Sequence, residues 1–277
     1  MYNTKLAAQP HARKQLPIAS RADQALVVEV ERAIERKQLA LHYQPKVDVR
    51  GGEIVGVEAL VRWAHPERGL VMPDDFIPVI ERTDLIVPFT EHVLEQALDQ
   101  CAQWHADGLR LGVAVNVSAR NVQDPNFPTA VASALHKWSV DGEWVELEMT
   151  EIALLADRER AVGVLQGLHG LGVSLAIDDF GTGHSSLVNL RDLPFDRLKI
   201  DGMFVAGMRR QVDEIIVAST IELASRLGVT SIAEGVEDEI AWRRLRTLGC
   251  DVAQGYWIAR PAPADVVTRW TRRRSAA

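Results

Sequence analysis

The chain has 277 residues, 47% of them hydrophobic and 25% charged, which is enough for one large α/β domain or two small ones. Its 38 acidic residues outnumber 31 basic ones, and the net charge of −7 gives no electrostatic footprint for a DNA or RNA duplex. The sequence shows neither an apolar signal region nor an apolar stretch long enough to span a membrane. Its two cysteines, Cys101 and Cys250, are distant in sequence and are expected to be core thiols in a reducing cytoplasm.

The first part of the chain predicts an arm, a helix and a hairpin. Residues 1–21 are polar and contain Pro10 and Pro17, so we expect a poorly ordered arm or linker, with one domain over residues 22–277. Helical spacing of apolar residues predicts a helix over 22–37. Strands are predicted at 39–47 and 53–61, and the Gly-containing turn between them favours an antiparallel pair.

The rest of the chain alternates between helices and strands. Helices are predicted at 88–107, 128–138, 157–168, 186–192, 213–227, 238–248 and 264–273, and strands at 111–117, 144–149, 173–177, 197–200, 229–233 and 251–254. This alternation is typical of a mostly parallel sheet, and about eight strands favour a closed (β/α) barrel over an open doubly wound sheet. The first strand is not followed by Gly-x-Gly-x-x-Gly, which weakens a dinucleotide-binding alternative.

Two adjacent carboxylates, Asp178 and Asp179, follow the apolar run at 173–177 where that strand is expected to end. Neighbouring carboxylates repel each other and lose hydration when they are buried, so a fold gains nothing from this pair without a cation or a proton. The pair therefore indicates a cation site at the end of a strand.

Polar side chains recur at the predicted ends of the other strands: Gln44, Glu58, Arg62, Asn116, Glu148, Glu151, Lys199, Asp201, Glu234, Glu237 and Gln254. A single acidic residue after a strand is more often a helix cap than a ligand, but barrel enzymes collect their chemistry at these ends. Most of these groups are oxygen ligands and none is a histidine, which favours Mg²⁺ or Mn²⁺ over Zn²⁺. Lys199 is expected to point into the barrel mouth, opposite to its apolar neighbours, where nearby carboxylates offset the cost of burying it.

A series of motifs resembles the EAL-domain cyclic di-GMP phosphodiesterases. The signature is Glu58-Ala59-Leu60, followed by Val61-Arg62-Trp63. The other motifs occur in the family's order and extend the resemblance over roughly residues 25–265: Tyr43-Gln44-Pro45, Asn116-Val117-Ser118, Glu148-Met149-Thr150-Glu151, Asp178-Asp179-Phe180-Gly181-Thr182-Gly183, Leu198-Lys199-Ile200-Asp201, Glu234-Gly235-Val236-Glu237 and Gln254-Gly255-Tyr256.

The resemblance implies a modified TIM-like (β/α)8 barrel in which one strand runs antiparallel. It also implies hydrolysis of cyclic di-GMP, a bacterial second messenger, to linear pGpG by a water that two Mg²⁺ or Mn²⁺ ions activate. Inhibition by Ca²⁺ and a homodimer are expected as well.

The resemblance also assigns roles to residues. The implied ligands of the first metal are Glu58, Asn116, Glu148 and Asp178, and Asp178 would bridge to a second ion held by Asp179 and Glu234. Lys199 would orient or deprotonate the water, with Asp201 and Glu237 as supporting polar groups. Arg62 and Gln44 would hold phosphate and guanine, and Gln254 the second guanine. Glu151 would anchor the loop from Asp179 to Leu187, which couples the site to the dimer interface.

The chain departs from the family pattern at two positions: His184 replaces the usual Tyr, and Arg260 replaces a common Lys. Neither change removes an implied ligand, so they bear on the rate and its regulation. Two alternatives remain: a receptor that binds cyclic di-GMP without cleaving it, and an unrelated barrel hydrolase with paired carboxylates, for example one acting on glycosides. The hydrolase alternative needs no metal and does not explain Lys199 or Asn116.

Overall fold

The structure is a computed structural model that describes residues 20–155, 157–181 and 193–275. Residues 1–19 of the predicted arm, the predicted helix at 186–192 and His184 lie outside this part of the chain. The first helix, α1, spans Arg21–Glu35 and begins where the Ser20 hydroxyl accepts a hydrogen bond from the Asp23 N–H at 3.1 Å. Such a side chain satisfies one of the amide groups that a helix start leaves unpaired.

The two strands predicted as a hairpin are antiparallel partners. Strand β1 (Leu39–Asp48) pairs with β2 (Ile54–His65) so that Gln44 lies opposite Glu58. The prediction placed both residues at strand ends and is wrong, because both strands continue well past this pair. A third strand, β3 (Gly69–Val71), extends the sheet beyond β2 and was not predicted.

The remaining strands alternate with helices as predicted, and several short helices that were not predicted lie between them. The strands are β4 (Val113–Asn116), β5 (Val145–Thr150), β6 (Ser174–Phe180), β7 (Arg197–Ile200), β8 (Thr230–Ala233) and β9 (Val252–Ala253). The helices are α2 (Ile77–Ile80), α3 (Ile86–Ala106), α4 (Ala119–Val122), α5 (Phe127–Trp138), α6 (Glu151–Leu155), α7 (Arg158–His169), α8 (Gly202–Gly207), α9 (Gln211–Leu227), α10 (Glu239–Leu248) and α11 (Ala264–Ser275). Short 3-10 helices lie at Pro73–Asp75 and Gly142–Trp144.

Eight of the strands close into a barrel. Their order is β1-β9-β8-β7-β6-β5-β4-β2, and the pairing of β1 with β2 completes the circle. Strand β1 runs antiparallel to both of its barrel neighbours. The other barrel strands, β2 and β4 through β9, pair in parallel. The expectation of a modified TIM-like barrel with one antiparallel strand is confirmed.

The apolar core lies between the barrel and its helices. Trp63, Phe76 and Phe89 form a chain of edge-to-face ring contacts, with ring centroids 5.6 and 5.9 Å apart, that ties β2 to α3. Cys101 and Cys250 are free, buried thiols, so their prediction as core residues is confirmed. Among the described residues, we find no helix with the length and apolar character needed to cross a membrane.

Strand β6 departs from the prediction at the paired carboxylates. It continues through both Asp178 and Asp179 to Phe180 instead of ending at Ile177. The pairing with β7 shifts register between Ile177 and Phe180, and Asp179 adopts a positive φ of 55°. This irregularity turns the strand locally, as a bulge does, and such features re-aim side chains next to functional sites.

Candidate active site

Polar and charged side chains that face the interior of the barrel occur at every second residue along a strand. In β5, Glu146 and Glu148 are both buried, and in β1 the buried Lys46 lies two residues from Gln44. Successive side chains of a strand point to opposite faces, so residues two apart share the inward face while their apolar neighbours face the helices. The sheet therefore collects charges along the barrel axis.

Lys199 lies at the centre of a group of carboxylates. Its Nζ is 2.5 Å from Glu148 Oε2, 2.9 Å from Asp178 Oδ2 and 2.6 Å from Glu234 Oε1. Lys199 is only 1% exposed, so these contacts replace the hydration that burial removes. The prediction that Lys199 points into the barrel beside carboxylates is confirmed by its position.

Glu58 is held by amide groups from two sides. Asn116 Nδ2 donates to Glu58 Oε1 at 2.7 Å, and Gln254 Nε2 donates to Glu58 Oε2 at 2.6 Å. The same Gln254 amide donates to Gln44 Oε1 at 3.0 Å, and Gln44 Nε2 donates to the Ala259 carbonyl at 3.0 Å. These bonds connect β1, β2, β4 and the segment after β9 in one network around the Glu58 carboxylate.

The carboxylates of this cluster have strongly shifted pKa values. Burial raises the pKa of Glu234 to about 8. The positive charge of Lys199 opposes this shift, and the negative charge of Asp178 adds to it. Burial and the charge of Glu148 raise the pKa of Glu58. Burial would also raise the pKa of Glu148, but Lys199 and Lys46 hold it well below its usual range. Carboxyl groups therefore outnumber the two ammonium groups in this cluster, and folding favours the protonated forms of Glu58 and Glu234.

The bulge in β6 separates the roles of its two aspartates. Asp178 turns toward Lys199, whereas Asp179 lies beside Asp201. Burial raises the pKa of Asp179 to about 6, and the charge of Asp178 and a hydrogen bond with Asp201 contribute. Asp201 also begins α8, where its side chain accepts a hydrogen bond from the Met203 N–H at 2.6 Å. The helix-cap interpretation thus holds for Asp201 in addition to its place beside the cluster.

Charged residues deeper in the barrel were missed by the sequence reasoning. Lys46 donates to Glu146 Oε1 at 2.9 Å and to Glu148 Oε1, and Arg197 Nε lies 3.3 Å from Glu146 Oε2. Burial would lower the pKa of Lys46, but Glu146 and Glu148 outweigh it and raise the pKa. The signal in the sequence is spacing: Lys46 is two residues from Gln44, and Glu146 two from Glu148.

Other predicted site residues lie outside the carboxylate cluster. Arg62 is buried farther along β2, where its Nη1 donates to the Val61 carbonyl at 2.7 Å. Glu151 is buried at the start of α6, but the loop that it was expected to anchor lies mostly outside the described residues. Glu237 is exposed and lines another cavity, of about 300 Å³, beside Arg209 and Asp238. The structure does not bring Glu237 to Lys199.

A large cavity opens beside the cluster. It has a volume of about 720 Å³, and its wall includes Asn116, Glu148, Asp178 and Asp179 on the side of the barrel. The opposite wall comes from α2 and α3, with Phe89 among its apolar residues. A pocket with apolar walls and a few convergent polar groups is typical of a small-molecule site.

The donor set fits hard divalent cations. Glu58, Asn116, Glu148, Asp178, Asp179 and Glu234 present carboxylate and amide oxygens, which Mg²⁺ and Mn²⁺ prefer. Within residues 20–155, 157–181 and 193–275, no three Asp, Glu, His or Cys side chains already converge as a ligand group, and the Lys199 ammonium lies between the carboxylates. Burial, with a smaller contribution from neighbouring carboxylates, raises the pKa values of Glu58, Asp179 and Glu234, and a bound cation would favour their charged forms.

Comparisons with known proteins agree with this geometry. Residues 27–261 match the family model described as EAL domain. The chain is 40% identical over 245 residues to the bifunctional diguanylate cyclase/cyclic di-GMP phosphodiesterase MucR of Pseudomonas aeruginosa, covering 87% of this chain and 35% of MucR. It is also 40% identical to the cyclic di-GMP phosphodiesterase PdeR of Escherichia coli, covering 88% of this chain and 37% of PdeR. The chain thus spans little more than a third of these relatives' length.

Solved structures of EAL proteins also resemble this chain. The structure titled PaMucR phosphodiesterase, c-di-GMP complex, superposes with a TM-score of 0.84 at 40% identity, covering 88% of this chain and 99% of that chain. The cAMP and cyclic-di-GMP bound form of the EAL enzyme Bd1971 gives a TM-score of 0.86 at 30% identity, covering 90% of this chain and 69% of that chain.

Proposed function

Because the chain belongs to the EAL domain family, we propose that it is a metal-dependent phosphodiesterase that hydrolyses cyclic di-GMP to linear pGpG. The observation that carries this proposal is the buried Lys199, ringed by Glu148, Asp178 and Glu234 beside a cavity of about 720 Å³. A receptor that only binds the ligand would not require three carboxylates around a single buried ammonium group.

Two divalent ions fit the proposal. Glu58, Asn116, Glu148 and Asp178 would hold the first, and Asp178, Asp179 and Glu234 the second. Two such ions lower the pKa of a shared water and stabilise developing charge on phosphoryl oxygens. Gln254 and Asn116 keep the Glu58 carboxylate in place, since each donates to a different oxygen.

Lys199 acts on the attacking water in this proposal. Burial alone would lower the pKa of Lys199, but the charges of Glu148 and Glu234 outweigh it and raise the pKa well above its usual value. The side chain is therefore an ammonium at neutral pH in the metal-free protein. Two cations on the same carboxylates would lower its pKa, so we assign Lys199 to orienting or deprotonating the attacking water. Asp201 would support this arrangement through Asp179.

The substrate would lie across the barrel mouth, extending from the cavity beside Asn116 and Asp178 toward the β1–β2 side. Arg62 and Gln44 would contact phosphate and guanine on the β1–β2 side, and Gln254 the second guanine. Since these side chains are buried and already fixed by hydrogen bonds, they would bind with little loss of conformational freedom. We further propose inhibition by Ca²⁺, a homodimer in the cytoplasm, and coupling of the site to the dimer interface through Glu151.

Single substitutions test the enzyme against the receptor. Glu58→Ala and Asp178→Ala each remove a proposed ligand without removing core packing, so we expect folded proteins without detectable hydrolysis. Glu67→Ala is the matched control, because Glu67 is exposed and makes only a backbone hydrogen bond to His65. Product is measured by chromatography and ligand binding by calorimetry. Normal turnover by either ligand variant contradicts the metal assignment, and binding without turnover by the unmodified protein favours the receptor.

A further inference from the structure

Glu148 is bracketed by two ammonium groups, one on each carboxylate oxygen. Lys46 donates to Oε1 from inside the barrel, and Lys199 lies 2.5 Å from Oε2 on the side of the mouth. Glu148 and Lys46 are almost fully buried, at 0% and 1% exposure, so water does not replace either contact. The two oxygens of this proposed metal ligand are therefore not equivalent.

Lys46 is itself held in place and cannot readily leave Oε1. Its Nζ donates to Glu146 Oε1 at 2.9 Å, and Glu146 is fixed in turn by Arg197, whose Nε lies 3.3 Å from Glu146 Oε2. A buried ammonium that left these carboxylates would lose its charge compensation. Lys199, in contrast, contacts three carboxylates at the mouth, where an incoming cation would compete with it.

This asymmetry bears on the choice of cation. Ca²⁺ takes six to eight oxygens and often binds both oxygens of one carboxylate, whereas Mg²⁺ demands near-octahedral geometry, and Mn²⁺ likewise suits octahedral oxygen sites. A cation that chelated both oxygens of Glu148 would also approach the Lys46 ammonium, because Lys46 lies within hydrogen-bond distance of Oε1. Like charges at such a distance repel strongly in a buried site.

We propose that Lys46 is a specificity-determining residue that limits Glu148 to one available oxygen and thereby disfavours Ca²⁺ relative to Mn²⁺ and Mg²⁺. The proposal rests on the metal site described above, and it adds a residue that positions a ligand without touching the substrate. Glu146 and Arg197 contribute by holding Lys46.

The test compares two cations in a variant of unchanged net charge. Lys46→Met combined with Glu146→Gln removes one positive and one negative charge, so a general electrostatic change affects Ca²⁺ and Mn²⁺ alike and cancels in the ratio of their dissociation constants. Lys137→Met combined with Glu95→Gln is the matched control, since it removes one positive and one negative charge from an ion pair at the surface. The dissociation constants for Mn²⁺ and Ca²⁺ are measured by calorimetry on the whole chain, without substrate.

We expect the double variant to lower the Ca²⁺ to Mn²⁺ ratio of dissociation constants by about tenfold, a difference of about 1.4 kcal/mol. The control is expected to keep the ratio of the unmodified protein. An unchanged ratio in a double variant that binds both ions overturns the proposal. Failure of the unmodified protein to bind Mn²⁺ contradicts the metal site itself, so the two failures are distinguishable.

A second variant covers the case in which the double variant does not fold. Lys46→Gln combined with Glu146→Gln places two amides that can hydrogen-bond to each other, and its ratio is expected to fall in the same way. Lys46→Arg keeps a charged donor toward Glu148 and is expected to preserve the ratio. The proposal is contradicted if Lys46→Arg lowers the Ca²⁺ to Mn²⁺ ratio of dissociation constants as much as the double variant Lys46→Gln with Glu146→Gln does.

Discussion

Replacing Lys199 by Met separates the role of its charge from that of its bulk. The ammonium is 1% exposed and contacts Glu148, Asp178 and Glu234 within 2.9 Å, so the substitution leaves buried carboxylates without their central partner. Removing one member of a buried ion pair typically costs about 3–5 kcal/mol of unfolding free energy. We expect about 3 kcal/mol, because the pKa of Glu234 is already raised to about 8 and this group can take up a proton.

This loss is large enough to measure by thermal melting. For a domain of this size, about 1 kcal/mol corresponds to about 2–4 °C, so the melting temperature in EDTA should fall by about 6–12 °C. Mn²⁺ should recover more stability in the variant than in the unmodified protein, since the ion no longer competes with an ammonium for the same carboxylates. Turnover should fall by about 10²–10⁴-fold, the usual effect of losing a positioned proton donor or acceptor.

The melting temperatures of Lys199→Met and the unmodified protein are measured by circular dichroism in EDTA and in Mn²⁺. The control is Lys137→Met, because Lys137 pairs with Glu95 at the surface with its side chain 59% exposed. Exposed pairs contribute about 0–1 kcal/mol, so this control should melt within a few degrees of the unmodified protein. An unchanged melting temperature for Lys199→Met in EDTA, or an equal gain from Mn²⁺ in both proteins, would refute the idea that Lys199 and the cation share one site.

Three further predictions follow from the same geometry. Arg62→Ala should raise KM by about tenfold or more with a smaller change in kcat, because the variant would lose the proposed charged contact to phosphate. Initial rates over a range of substrate concentrations check this. Cys101 and Cys250 should not react with a thiol reagent at pH 8 until the protein unfolds, since burial raises the pKa of each thiol to about 12; a colorimetric titration with and without denaturant decides it. Because folding raises the pKa of Glu234 to about 8, this group binds more protons folded than unfolded, so its contribution to the stability of the metal-free protein should fall as pH rises from about 5 to 8. Denaturant titrations in EDTA compare the unmodified protein with Glu234→Gln over this range; a stability difference between them that does not change with pH would contradict this sign.

Most of the fold was predictable because its long elements carry a clear period. In strand β5, for example, apolar residues alternate with Glu146 and Glu148, and helix α3 buries residues at helical spacing. A succession of such strands and helices favours a barrel. The short elements β3, α2, α4 and α6 were missed, since three to five residues are too few to show a period.

The candidate site was predictable where polar residues interrupt apolar strands. The positions of Glu58, Glu148, Asp178 and Lys199 around one centre agree with the sequence analysis. The bulge at Asp179 was not predicted, because a change of strand register depends on the neighbouring strand β7 and not on the local sequence.

Lys46 and Glu146 were missed for a different reason. Each lies inside a strand, and its partner is distant in sequence. Only the spacing relative to Gln44 and Glu148 places it inside the barrel.

Conversion of cyclic di-GMP by the purified chain tests the central claim most directly. The reaction is followed by chromatography with Mg²⁺, with Mn²⁺ and with excess EDTA. We predict that linear pGpG forms with either metal and that EDTA abolishes its formation, because the carboxylates around Lys199 would hold the ions that activate water. Equal hydrolysis in EDTA, or no hydrolysis with either metal despite tight binding of cyclic di-GMP, would contradict the account.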